Sequence, residues 1–201
     1  MSAKIEEIIP EQGFELVLNI IGVILTTELE NQKELQNLDD PLNIYNSRST
    51  PFGQSEELMI NVSYDGVNYD QETQSCSKGQ NRYNVDVHVS SKETSSSKGG
   101  ANASLKLNKY MGMIRYILSS SKYKNLMITP GVISNRKVSS IDSFDDVRKQ
   151  DSSFTKTGRI VYEVTINESQ DMAVGVELTS TETDVKLGLT QLGYKYQYNK
   201  I

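Results

Sequence analysis

Apolar positions along the chain follow two rhythms. From Phe14 onward, Val17, Leu18, Ile21, Ile24, Leu25 and Leu29 recur at the i, i+3, i+4, i+7 spacing of one helical face. Ile20 and Val23 widen that face, which predicts a first helix buried on more than one side. Pro10 and Gly13 punctuate its entry, and Asp39, Asp40 and Pro41 end it. A second stripe of Leu107, Tyr110, Met111, Ile114, Ile117 and Leu118 predicts another helix, with Asn102 placed to cap it and Ser119-Ser120-Ser121 to end it.

The other rhythm has period two, the mark of a half-buried strand. Tyr83, Val85, Val87 and Val89 share one face against Asn84, Asp86 and His88. Ile160, Tyr162, Val164 and Ile166 do the same further on, and Leu58, Ile60 and Val62 alternate earlier. Asp65-Gly66 reads as a tight turn leading into a second strand over residues 67–76. Short strands are expected over 126–129 and 132–138, on either side of Pro130-Gly131. Residues 42–55 read as an irregular segment pinned to the body by Ile44, Tyr45 and Phe52. Two polar stretches, 91–100 and 139–156, read as loops, the first of them mobile. Thinly apolar strands are expected over 172–178, 184–189 and 194–198, where Tyr194, Tyr196 and Tyr198 alternate. The fold class is therefore α+β: a small mixed or antiparallel sheet packed against two main helices, with extra C-terminal strands. Residues 1–168 form one α/β domain, and 169–201 an appended extension or arm.

Composition narrows the chemistry. The chain has 201 residues and a net charge of −5, with one cysteine, one histidine and no tryptophan. That length buries a full core without staples. Cys76 alone excludes an internal disulfide framework, and His88 alone excludes any site needing two imidazoles. The acidic balance argues against duplex DNA recognition, which needs a basic face. The start of the chain reads as a poor secretory signal, and the apolar run 14–25 is too short and too polar to cross a bilayer. A cytoplasmic origin without membrane contact is expected, so the sequons at Asn61, Asn102 and Asn167 carry no meaning.

Phosphate-binding loops, a dinucleotide fingerprint and a G-x-S-x-G elbow are absent. Cys76 and His88 are the one conceivable nucleophile–base pair; they flank a predicted hairpin, so they could meet. Asp142, Asp145 and Asp146 could offer carboxylates to a divalent cation, but they do not match an EF-hand loop and read as a solvated run. No catalytic residue, metal or cofactor is expected.

The order of elements carries more than any single residue. A helix precedes IYNSRSTPF (44–52), then ELMINVSYDG (57–66), RYNVDVHVS (82–90), the helix LKLNKYMGMIRYILSS (105–120) and TGRIVYEVTINE (157–168). Over residues 14–168 this order resembles the tail terminator proteins of long-tailed bacteriophages. The loops 91–100 and 139–156 are long, and residues 170–201 run past the family's usual end. The resemblance implies a structural virion protein at the head–tail junction, assembled in the host cytoplasm and not an enzyme. Such a protein forms a hexameric ring of copies of itself, caps the tail tube protein, ends its polymerisation and joins it to a head-completion or neck protein. DNA passes through the lumen without specific binding. The family supplies no contact motif, so exposure alone nominates Arg48, Phe52, Lys92, Lys98, Arg136, Lys137, Arg148 and Lys149 as subunit or tube contacts. The alternative reading is a non-ring assembly adaptor or another neck or head-completion protein.

Overall fold

The predicted first helix forms as α1 (Gly13–Gln36). Its start is a capping box: the backbone N–H of Gln12 donates to the Glu15 carboxylate at 2.9 Å. Its end is Asn37 in the left-handed conformation (φ 51°), which lets Leu38 N–H reach the Lys33 carbonyl. The helix therefore stops before Asp39 and Pro41. Val17, Ile21, Ile24, Leu25 and Leu29 are buried, whereas Val23 is exposed, so α1 is covered on one side only.

In the computed structural model the described residues are 8–9, 11–50, 57–72, 76–92, 99–144, 153–169, 180–186 and 193–199. α1 and α2 (Gly99–Ser119) lie on one face of a five-stranded mixed sheet, in the α+β class expected. α2 begins three residues ahead of Asn102, so that residue lies inside the helix. Contacts between the helices run in opposite senses: Asp40 meets Lys106 and Tyr110, Gln36 meets Met113, and Glu28 meets Tyr123. The helices are therefore antiparallel.

The strands are β1 (Leu42–Asn46), β2 (Leu58–Glu72), β3 (Cys76–Lys92), β4 (Ile133–Phe144) and β5 (Ser153–Ser169), in the order β1-β2-β3-β5-β4. β1 runs parallel to β2, and every other pair is antiparallel. The segment over 42–55 is thus not irregular throughout: Leu42, Ile44 and Asn46 pair with Leu58, Ile60 and Val62.

Asp65-Gly66 does not turn the chain. Tyr64 pairs with Tyr83 and Gly66 with Arg82, which leaves Asp65 as the extra residue of a bulge. Gly66 sits at φ 127°, a conformation open to glycine, and the strand continues to Glu72. Beyond the bulge the parity flips, so Val67 rather than Gly66 faces Asn81. The strand expected over 126–129 is also absent. A single 3-10 turn, Ser121–Tyr123, leads into left-handed Leu126 and Met127 (φ 46° and 57°), which drives Leu126 into the core. The stretch 139–156 is strand at both ends, since β4 runs to Phe144 and β5 starts at Ser153.

One side of the sheet carries Leu58, Ile60, Val62, Tyr83, Val85, Val87, Val89, Ile160, Tyr162 and Val164, all fully buried beneath the helices. Burial of each such aliphatic side chain contributes about 1.5–3 kcal/mol. Residues 170–201 make a second compact unit, in which β6 (Ser180–Lys186) and β7 (Gly193–Asn199) form an antiparallel hairpin. The expected strand over 172–178 lies outside the described residues.

Candidate assembly surfaces

Three surfaces of the larger unit could meet another molecule: the open face of the sheet, its two edges, and a groove between the helices. The open face is built by the even-numbered positions of β3 and their cross-strand neighbours, which alternate away from the core. It is an ion-paired ladder. Arg159 grips Asp86 through two hydrogen bonds, Nε at 2.6 Å and Nη2 at 3.0 Å. Glu163 gathers Lys137 at 3.1 Å, Arg82 at 3.7 Å and the Gln80 amide at 2.6 Å, and Arg82 also lies 3.9 Å from Asp65. Asn84, His88 and Ser90 on the same face are buried.

The nominated contact residues divide sharply. Phe52, Lys98, Arg148 and Lys149 lie outside the described residues. Arg48 is held on the open face. Its backbone N–H donates to Asn61 Oδ1 at 2.9 Å, its Nε donates to Thr50 Oγ1 at 2.8 Å, and its guanidinium stands 4.7 Å from the centre of the Tyr45 ring. Lys92 is the exposed last residue of β3, opposite Ser153. Lys137 belongs to the ladder. Arg136 does structural work: its guanidinium reaches under α2 and donates to the carbonyls of Leu118 and Ser120 and to the Tyr162 hydroxyl at 3.3 Å. The Leu118 carbonyl is an orphan of the helix C-terminus, where a cation is also favoured by the dipole, and the Ser120 carbonyl also accepts from the Tyr123 N–H at 3.2 Å.

The candidate nucleophile–base pair does not assemble. Cys76 and His88 lie twelve residues apart on one continuous strand, about 40 Å at a rise of roughly 3.3 Å per residue. Cys76 is exposed at one end, and His88 is buried with Nδ1 3.4 Å from Thr157 Oγ1. Asp142 sits on β4 opposite Arg159, and Asp145 and Asp146 lie outside the described residues. No group of acidic, histidine or cysteine side chains among the described residues is arranged to hold a metal. No described helix is long and apolar enough to cross a membrane.

The groove between α1 and α2 went unnoticed in the sequence. It encloses about 650 Å³ and is lined by Leu35, Met113, Tyr116 and Ile117 among polar groups that include Glu28, Lys109 and Lys122. The Tyr123 hydroxyl donates to the Glu28 carboxylate at one end. Gly112 forms part of the wall, and a Cβ built on it would meet nothing within 4 Å. A glycine inside a helix costs about 1 kcal/mol against alanine, so this one is an unexplained expense within the subunit. Gly22 differs, because there the Asn46 side chain occupies the place a Cβ would take. The available signal was Gly112 and Tyr116, which fall outside the apolar stripe of α2 one helical turn apart.

Buried phenols set an alkaline limit. Burial pushes the Tyr83, Tyr110 and Tyr162 hydroxyls above the ordinary tyrosine range; the Asp40 carboxylate raises Tyr110 further, whereas Arg136 partly offsets the shift at Tyr162. Below about pH 10 these groups are protonated in both folded and unfolded chains. Above it the unfolded chain releases their protons first, so stability falls as pH rises toward the folded values. The melting temperature should be level with respect to these groups between pH 7 and about 9 and decline beyond about 10. A melting temperature that holds level to pH 12 would contradict their burial.

No protein-family model matches the sequence, and no curated protein matches it either.

Proposed function

We propose that this chain is a structural subunit that assembles with copies of itself into a ring, in the role of a phage tail terminator or a related neck protein. The observation that carries the reading is the pair of unlike sheet edges. One edge is the five-residue parallel strand β1, the other the twelve-residue antiparallel strand β4, and neither has a further strand beside it among the described residues. Free edges are templates for pairing with another chain. Unlike edges favour head-to-tail contacts, which close into a ring when the rotation permits. Exposed Ile141 and Phe144 on β4, together with the helical groove, supply apolar area for such contacts.

The reading is tested by native mass spectrometry and electron microscopy of the concentrated full-length protein, with and without purified tail tubes. A closed ring of roughly six subunits that seats on tube ends is expected. A strict monomer that ignores tubes would overturn it, and presence during assembly without retention in the finished particle would favour the adaptor role.

A further inference from the structure

The groove between α1 and α2 is built to receive something that its own subunit does not supply. Glycine is among the poorest helix formers, and Gly112 stands in mid-helix with no neighbour that needs the space. Beside it Tyr116 is 78% exposed and Leu35 67% exposed. The wall is basic. From Gly99 to Gly131 the chain carries Lys106, Lys109, Arg115, Lys122 and Lys124 and no acidic residue, and Lys109 and Lys122 line the groove. An occupant should therefore be apolar on one side and acidic on the other.

The segment ahead of α1 has that chemistry. Ile5, Ile8 and Ile9 recur at i, i+3, i+4 among Glu6, Glu7 and Glu11. Ile8 and Ile9 are 93% and 67% exposed, so within this subunit they pack on nothing that covers them. Apolar anchors entering an apolar groove are a recurring recognition mode.

Geometry says whose groove is filled. Ile8 is four residues from Gln12 and can reach at most about 14 Å from the start of α1. Along the rigid helix, Glu28 at the near end of the groove lies about 22 Å from Gly13, and Leu35 about 33 Å. Ile8 and Ile9, the residues proposed to sit over Gly112, therefore fall short of their own groove. We propose that residues 5–9 of one copy dock into the α1–α2 groove of a second copy, Ile8 and Ile9 over Gly112 and the acidic side chains toward Lys109 and Lys122. This rests on the self-assembly reading above and gives it a joint: each copy reaches forward, so the contact is head-to-tail.

Cross-linking tests it on the full-length chain. With Cys76→Ser as background, Ile8→Cys and Tyr116→Cys should form covalent dimers and higher oligomers under mild oxidation, and neither cysteine alone should. Gly112→Leu should weaken association by about tenfold or more, or ~1.4 kcal/mol, while the melting temperature stays level or rises, because leucine suits a helix better than glycine. A disulfide confined within single chains, or an assembly indifferent to Gly112→Leu and to both cysteines, overturns the docking and leaves the ring reading standing. Cross-linked dimers or open chains without closure support the docking and overturn the ring. A protein monomeric at every concentration overturns both.

Discussion

Replacing Tyr83 by alanine is expected to remove about 3–5 kcal/mol of stability, the range for deleting a fully buried aromatic side chain. Tyr83 is completely buried on the central strand β3. Its ring lies 5.6 Å from that of Tyr64, which in turn stacks on Phe14 at 4.9 Å, and its hydroxyl donates to the Phe14 carbonyl at 3.1 Å. The aromatic group thus ties the start of α1 to two strands. Tyr83→Phe keeps the ring and loses only the hydrogen bond, so it should cost about 1 kcal/mol. Urea titrations of the two variants check the pair. With total stability of about 5–15 kcal/mol, the alanine variant should also unfold at a visibly lower temperature. Equal costs for the two variants would mean that the hydroxyl, and not ring packing, dominates at this site.

Arg136→Ala is expected to cost about 1–3 kcal/mol, because it strands the Leu118 carbonyl and takes a donor from the Ser120 carbonyl and the Tyr162 hydroxyl. Arg136→Lys should recover only part of the loss, since one ammonium cannot reproduce a planar fork between two carbonyls. Lys137→Ala, one residue along, should stay within about 0.5 kcal/mol, because its pairing with Glu163 is half exposed and solvent-screened. Chemical denaturation of the three variants separates a helix clamp from a surface charge. Similar small effects for all three would remove the clamp.

The contrast between those neighbours explains what was legible in the sequence. Both helices and the strands β3 and β5 were readable because each buries one face on a single core, which imposes its period on the residues. The bulge at Asp65 was not readable: a turn and a bulge both ask for a small residue with positive φ, and only pairing with Arg82 tells them apart. β1 was too short to show alternation. β4 carries ISNRKVSSIDSF with few apolar positions, because an edge strand is mostly wetted and a register shift between Val138 and Ser140 breaks its period. Among the candidate contacts, Arg136 and Lys137 looked alike as adjacent cations. Which face each occupies depended on the pairing of Arg136 with Val164 and of Lys137 with Glu163, a register that composition does not encode. The groove was missed because its signal is a glycine and a tyrosine on a helix face that reads as solvent-facing.

The guanidinium clamp also has a mechanical meaning. Arg136 is rooted in the edge strand β4 and grips the end of α2, the helix that forms one wall of the groove. A load applied at that border is thereby handed to the helix through a stiff, directional fork and not through compliant apolar packing. In the proposed ring, a neighbour gained along β4 would bear through this fork on the helix that lines the groove, which gives the two contact regions a route of energetic coupling.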